Sequence, residues 1–516
     1  MGDLKPGPGW TLISLLPAIF FLAVVLAPPL NQDVAAVLSF AERMVAGEAL
    51  YAHLIDVNPP LIFLLNLPAA WLGAWTPLSA VQALHLLLLA FCAGIILLCL
   101  RLRRPGTGPV EDAMLLALLP LNLLLAGYDF GQREHLMAVA ALPYLFLAER
   151  RAEGVRTGPG LVAVVTLVAA TGFALKPHFL AVPALVEALL LGVALRQGRL
   201  RQAVWDSVPW GLGVLWLAYL ALIGFGFPEY SGIILPLVRS DYLGFADPSL
   251  GQALMTVHLF TATVATLALL AFAIAARAGT LGWLPRLLAA ATFGALAAAL
   301  VQLKGWSYQV VPVWMFAGLF GGIVAARAAD RVLAQRAAHR LAPLMAAGFC
   351  LALALFLIRA GEAPWRQFRY DDSPAGRLAA WLRERAPGED VMALSPDIHP
   401  AYPAMNYAGN RPVFRFMSTW LLQAAYATCP ADGSRFRAVE QMGQAERFLF
   451  DAVAQDLAAG RPRVVLVARD AHIAWCGGQA FEMTAYFARH PAFAEAWRAY
   501  RQAGEIDGIL LFMRPD

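Results

Sequence analysis

Apolar runs of about twenty residues recur from the N-terminus to about residue 358, each near the length a helix needs to cross ~30 Å of hydrocarbon. They predict membrane-spanning helices near 11–29, 78–100, 109–127, 136–149, 160–175, 179–195, 207–226, 253–276, 287–301, 310–326 and 341–358. The runs at 136–149 and 287–301 are short, so the count of about eleven carries a margin of one or two. After Ala360 the pattern breaks into shorter periods. The stretches 389–394 (EDVMAL) and 463–468 (RVVLVA) read as buried strands between helical patterns at 374–386 and 437–458. The expected architecture is an all-α polytopic membrane domain, 1–360, with interfacial helices, followed by a small extracytoplasmic α/β domain, 361–516.

Composition sharpens this picture. The chain has 516 residues, of which 60% are hydrophobic and 14% charged, and its mean hydropathy is +0.62. Soluble domains are about half apolar and a quarter charged, so a larger core does not account for the difference. The first run has neither a strongly basic lead nor a small-residue cleavage site and reads as an uncleaved span. A net charge of +4 gives no reason to expect nucleic acid. Cys92, Cys99 and Cys350 fall in apolar runs, where cysteine is usually a small hydrophobe. Cys429 and Cys476 fall in the C-terminal region, which in an oxidising compartment permits a disulfide. No Cys/His spacing suits structural zinc.

The distribution of charge sets the expected orientation. Arginines cluster at 101–104, 150–156, 196–201, 277–286 and 327–340. With the N-terminus inside, every cluster is cytoplasmic, as the positive-inside rule requires. That assignment holds only if the apolar stretch 59–75, opened by Pro59-Pro60, lies in the interface or re-enters rather than crossing. By parity the C-terminal domain is then extracytoplasmic, as expected for a multi-pass protein of a bacterial-type inner membrane.

The remaining polar residues gather on the outer face. The first outer loop carries Asp33, an amphipathic helix with Val34, Val37, Leu38, Ala41, Met44 and Val45 on one side, then Tyr51, Asp56 and Asn58. Later loops carry Asp129, Arg133, Glu134 and His135; Lys176 and His178; Glu229, Tyr230, Arg239, Asp241 and Tyr242; and Lys304, Trp306 and Tyr308. Each has a plainer reading. Asp33 suits a helix cap, Arg133, Lys176 and Lys304 suit snorkelling cations, and Trp306 and Tyr308 suit an aromatic belt. Backbone groups would satisfy His135 and His178. Taken together, outer cations that run against the charge bias and sit beside carboxylates and histidines point to an interfacial pocket.

These residues, in this order, resemble the GT-C-type glycosyltransferases, the group that includes the aminoarabinose–lipid A transferases and the protein O-mannosyltransferases. The likeness rests on Asp33 just beyond the first span, the helix behind it, the element Asp56, Asn58, Pro59, Pro60, Leu61, and a second outer loop with Asp129, Arg133 and Glu134. The segments FGQREH, ALKPHF and QLKGWSYQ add to it, and residues 10–180 carry it most strongly. Two features depart from the pattern: Asn31-Gln32-Asp33 has one acidic residue where many relatives have two, and Asn58 stands where many have lysine. The resemblance implies transfer of a sugar from a polyprenyl-phosphate-linked donor to an extracytoplasmic acceptor (lipid, glycan or protein), with direct displacement inverting the anomeric centre. Asp33 would be the base. Arg133, Lys176 and Lys304 would bind phosphate, and Tyr51, Asp56, Asn58, Asp129, Glu134, His135, His178, Trp306 and Tyr308 would line the substrate pocket. No cofactor is required by this reading; some relatives use a divalent metal, a role the single acidic residue weakens.

Two other classes fit less well. A transporter or flippase of a lipid-linked sugar would show internal repeats and charge near the bilayer midplane, whereas here the charge lies at span ends. A non-catalytic assembly factor leaves the outer Asp/Lys/Arg set unexplained.

Overall fold

The computed structural model describes residues 8–104, 107–242, 249–276, 281–360 and 368–515. Arg277 and the boundary expected at 360/361 fall at or beyond the edge of the described residues. Every apolar run forms a helix: α1 (Pro8–Leu26), α2 (Gln32–Val45), α3 (Leu61–Trp75), α4 (Ala80–Leu102), α5 (Pro109–Leu124), α6 (Arg133–Ala152), α7 (Pro159–Phe173), α8 (Ala181–Arg196), α9 (Leu200–Val204), α10 (Ser207–Gly226), α11 (Val257–Ala275), α12 (Trp283–Gln302), α13 (Val311–Val332) and α14 (Gln335–Ala360), with α2 and α9 the short polar exceptions between them. Among the described residues, seven helices are long and apolar enough to cross a membrane, and three shorter apolar ones accompany them. Apolar side chains such as Val214, Leu217, Phe225 and Ile274 point outward from α10 and α11, the disposition expected of surfaces covered by lipid.

The chain divides into two compact units. The first holds Met1–Pro28, His85–Ala221 and Pro248–Phe368. Helices α5 and α6 lie at its centre, with α5 packed against α1, α13 and α14 and α6 against α7, α12 and α13. The runs that look short from sequence extend to 20 residues each, Arg133–Ala152 and Trp283–Gln302. Helix α6 outlasts its apolar stretch because the bundle interior satisfies the charges at both of its ends. Close approach between helices depends on small residues. A Cβ on Gly294 of α12 would stand 2.7 Å from the Val182 Cα of α8, so only glycine fits there.

One end of this unit carries a network of ion pairs. Arg327 reaches Glu111 at 2.8 Å and Glu149 at 3.6 Å. Arg151 reaches Glu187 and Asp206, each at 2.7 Å. Asp330 accepts from the backbone N–H groups of Val110 and Glu111, capping α5. These are the ends bearing the arginines counted in the orientation argument. Burial of paired charges makes their loss costly, since removing one partner strands the other.

The second unit holds Pro29–Leu84, Leu222–Asp247 and Arg369–Asp516. Its five-stranded sheet runs in the order β2 (Arg411–Pro412), β1 (Asp390–Leu394), β3 (Val464–Ala468), β5 (Ile509–Met513), β4 (Arg501–Ile506). The first three are parallel, and β5 and β4 add antiparallel. Helices at Pro374–Arg385 and Gln444–Gly460 contribute the buried Leu378, Leu382, Leu449, Val453 and Leu457 to the core of this unit. Cys429 and Cys476 form a disulfide.

The first outer loop belongs to this same unit. The Ile55 N–H donates to the Arg415 carbonyl at 2.7 Å, Arg43 donates to the Phe414 carbonyl at 2.6 Å, and Asn406 donates to Ser39 and to the Ala35 carbonyl. The segment after α1 and the C-terminal region therefore pack together within the second unit. Helix α3 packs on α2 within the unit and turns tightly into α4, with Gly73 so close to Ala80 that a Cβ would stand 2.8 Å from its backbone.

Candidate active site

In the first unit, the candidate residues sit where helices begin or end on the side away from the Arg327 and Arg151 networks. Arg133 and Glu134 open α6, and Lys176 and His178 lie in the turn that leads into α8. Gln302 closes α12, and Tyr308 lies in the 3-10 turn before α13. Lys176 Nζ reaches Glu134 Oε1 at 2.6 Å and Gln302 Oε1 at 3.4 Å, and it stands 5.5 Å from the Tyr308 ring centre. Glu134 is 1% exposed, and its Oε2 has no hydrogen-bond partner among the described residues. The Arg133 and Lys176 cations both act electrostatically on His178, whose buried Nε2 likewise has no partner among the described residues. Trp306 packs on Tyr308 with ring centres 5.7 Å apart.

The loop bearing Lys304 has a constrained backbone. Leu303 and Gly305 both have positive φ, 50° and 69°, and a Cβ on Gly305 would stand 2.7 Å from the Thr256 methyl. Lys304 itself is half-buried. Asp129 is buried in the 3-10 turn Gly127–Asp129, just ahead of α6.

His135 has a different part. Its Nδ1 accepts from the Gly131 N–H at 3.1 Å, so its Nε2 carries the proton and donates to the Leu123 carbonyl at 2.7 Å. Both ring nitrogens are thus used by the backbone, and the ring ties the 128–135 loop to the end of α5.

In the second unit, Tyr51, Asp56 and Asn58 come together. Asp56 Oδ1 accepts from the Asn58 N–H at 2.8 Å and from its side-chain Nδ2 at 2.6 Å, forming an Asx turn ahead of the double proline. The Tyr51 hydroxyl donates to the Asn58 carbonyl at 2.5 Å. Tyr51 is fully buried with φ of 69°, held by Phe63, Phe227 and Tyr230. Burial, and then the Asp56 carboxylate, push the Tyr230 phenol up to about 12.

Asp33 lies in the first turn of α2 and is half-buried. The cap of that helix is Asn31, whose side-chain oxygen accepts from the Asp33 N–H at 2.9 Å. The capping duty considered for Asp33 therefore belongs to its neighbour. Its carboxylate sits instead at the positive end of the helix dipole.

Two residues outside the expected set stand in these clusters. Gln302 is the last residue of a span, and its proximity in sequence to Lys304 is the only local sign of it. Tyr230 sits in an outer loop rich in polar residues and is distinguished only by packing on Tyr51. Among the described residues, no group of three or more His, Cys, Asp or Glu side chains is arranged to hold a metal ion.

No protein family and no curated protein matches the chain by sequence. A search of solved structures finds ArnT from Cupriavidus metallidurans, in a crystal structure bound to undecaprenyl phosphate. It is 12% identical, with a TM-score of 0.59 and a match that covers 98% of both chains. At that identity the likeness is one of fold, and it extends from the first span to the C-terminal sheet. The chain therefore shares the overall fold of that structure, a polytopic helical membrane part followed by a small sheet-containing C-terminal region.

Proposed function

We propose that this protein is a multi-pass glycosyltransferase of a bacterial-type inner membrane. It moves a sugar from a polyprenyl-phosphate-linked donor to an acceptor outside the cytoplasm. The observation that carries the reading is the end-to-end fold likeness to a structure whose bound ligand is undecaprenyl phosphate.

The chemistry asks for a base, a means of holding the leaving phosphate and a pocket for the sugar. In this reading an acceptor hydroxyl attacks the anomeric carbon as the bond from that carbon to the phosphate oxygen breaks. The hydroxyl proton passes to the Asp33 carboxylate, and polyprenyl phosphate departs with the bonding electrons, so the anomeric centre inverts. Arg133, Lys176 and Lys304 answer the charge that develops on the phosphate. Lys176 is already paired with Glu134, so the anion would compete with that carboxylate for it. His178, Trp306 and Tyr308 serve the sugar. Tyr51, Asp56 and Asn58 hold the backbone that follows α2, while His135 acts by positioning its loop.

The test is to incubate the purified protein with polyprenyl-phosphate sugars and an extract of envelope acceptors. Acceptor-dependent release of polyprenyl phosphate is expected. Movement of intact lipid-linked sugar across vesicles without release would replace this reading with a flippase.

A further inference from the structure

The end of the first unit opposite Glu134 and Lys176 contains a cavity of about 780 Å³ that the proposed transfer does not use. Helix α6 separates the two. Its helical rise places Arg151 ~27 Å from Arg133 along the axis. We propose that this cavity is a binding site for the headgroup and upper acyl chain of an anionic phospholipid.

The walls have the chemistry for both parts. On α8, Ala184 and Ala188 present small side chains, and Pro209 and Gly213 of α10 do the same opposite them. This leaves an apolar groove on helices that face lipid. Trp205 and Trp210, 75% and 58% exposed, stand at the start of α10, where an aromatic belt marks the membrane–water boundary. The groove therefore opens at headgroup level.

Charge selects the occupant. Three arginines line the cavity, Arg151, Arg156 and Arg199, against two carboxylates, Glu187 and Asp206. Both carboxylates are engaged. Glu187 takes a two-pronged contact from Arg151 at 2.7 and 2.8 Å and a hydrogen bond from the Tyr144 hydroxyl at 2.8 Å. Asp206 takes Arg151 Nε at 2.7 Å and the Val208 N–H at 2.9 Å. Arg199 donates to neutral oxygens, the Ala152 carbonyl and the Gln197 side chain. Arg156 is exposed and makes no ion pair among the described residues. The two rim guanidiniums thus leave a positive charge that a phosphodiester of one negative charge matches. Basic pockets between spanning helices bind anionic headgroups on these grounds, and an ammonium-bearing headgroup would find both carboxylates occupied.

Native mass spectrometry of the full-length protein tests this, with phosphatidylglycerol, phosphatidylethanolamine, phosphatidylcholine and undecaprenyl phosphate offered separately and inorganic phosphate as a competitor. Phosphatidylglycerol should be retained roughly thirtyfold over phosphatidylcholine, from about two arginine contacts. R156Q/R199Q should abolish that preference. Ala188→Trp, which fills the apolar groove without touching a charge, should reduce retention of phosphatidylglycerol while leaving the thermal midpoint near the parental value. If the double arginine variant does not fold, Ala188→Trp alone decides. Equal retention of phosphatidylglycerol and phosphatidylcholine would overturn the proposal, as would a preference that survives both variants. Full displacement of phosphatidylglycerol by undecaprenyl phosphate would assign the cavity to the carrier instead, and full displacement by inorganic phosphate would make it an anion site without a lipid.

Discussion

Asn31 accepts a hydrogen bond from the backbone N–H of Asp33 at 2.9 Å, so the residue that caps α2 and the residue proposed as base are two positions apart and separable. Asp33→Asn should leave the cap in place, with about 1 kcal/mol of stability lost through the helix dipole. If Asp33 takes the acceptor proton, turnover should fall on the order of 10²–10⁴-fold. Asn31→Ala should do the reverse, costing about 1 kcal/mol with turnover near parental. Transfer rates and thermal midpoints of the two variants check this. A stable Asp33→Asn protein that transfers at the parental rate would move the role to Asp129 or Glu134.

Lys176 and Glu134 form a buried pair at 2.6 Å between elements 42 residues apart in sequence. Lys176→Met strands a carboxylate that is 1% exposed and should cost about 3–5 kcal/mol. Adding Glu134→Gln should restore much of that loss, because the unpaired charge goes with it. A thermal-shift cycle over the two single variants and the double variant measures the coupling. Additive losses would show that the pair does not interact in the folded protein.

The Cys429–Cys476 bridge closes a loop with a sequence separation of 47. On the chain-entropy account such a loop contributes about 4 kcal/mol. Alkylation of the denatured protein should modify three thiols without reductant, those of Cys92, Cys99 and Cys350, and all five after reduction. Five modified thiols before reduction would show that the bridge is absent.

Segment 29–58 and the C-terminal sheet share one unit, which the positive-inside rule predicts to lie outside the cytoplasm. A reporter active only in the periplasm, fused to the C-terminus, should give signal, and one active only in the cytoplasm should not. The same periplasmic reporter placed after residue 58 should agree with it. Opposite signals at the two positions would contradict the shared unit.

The positions of the apolar helices, the helix behind Asp33 and strands β1 and β3 of the C-terminal domain were legible in the sequence. Hydrocarbon imposes a fixed length of apolar residues on each crossing helix, and strand or amphipathic periodicity records which side of an element is buried. Partnership across the bundle leaves no such local trace. The pairing of Glu134 with Lys176, the place of Gln302 beside them and the use of both His135 nitrogens by backbone depend on which helix ends become neighbours. The length of α6 was hidden for the same reason. Its terminal charges interrupt the apolar run, and only packing inside the bundle supplies the partners that let the helix continue. The docking of the first outer loop onto the C-terminal sheet was decided by tertiary structure alone, because the backbone hydrogen bond from Ile55 to Arg415 joins residues that no periodicity relates.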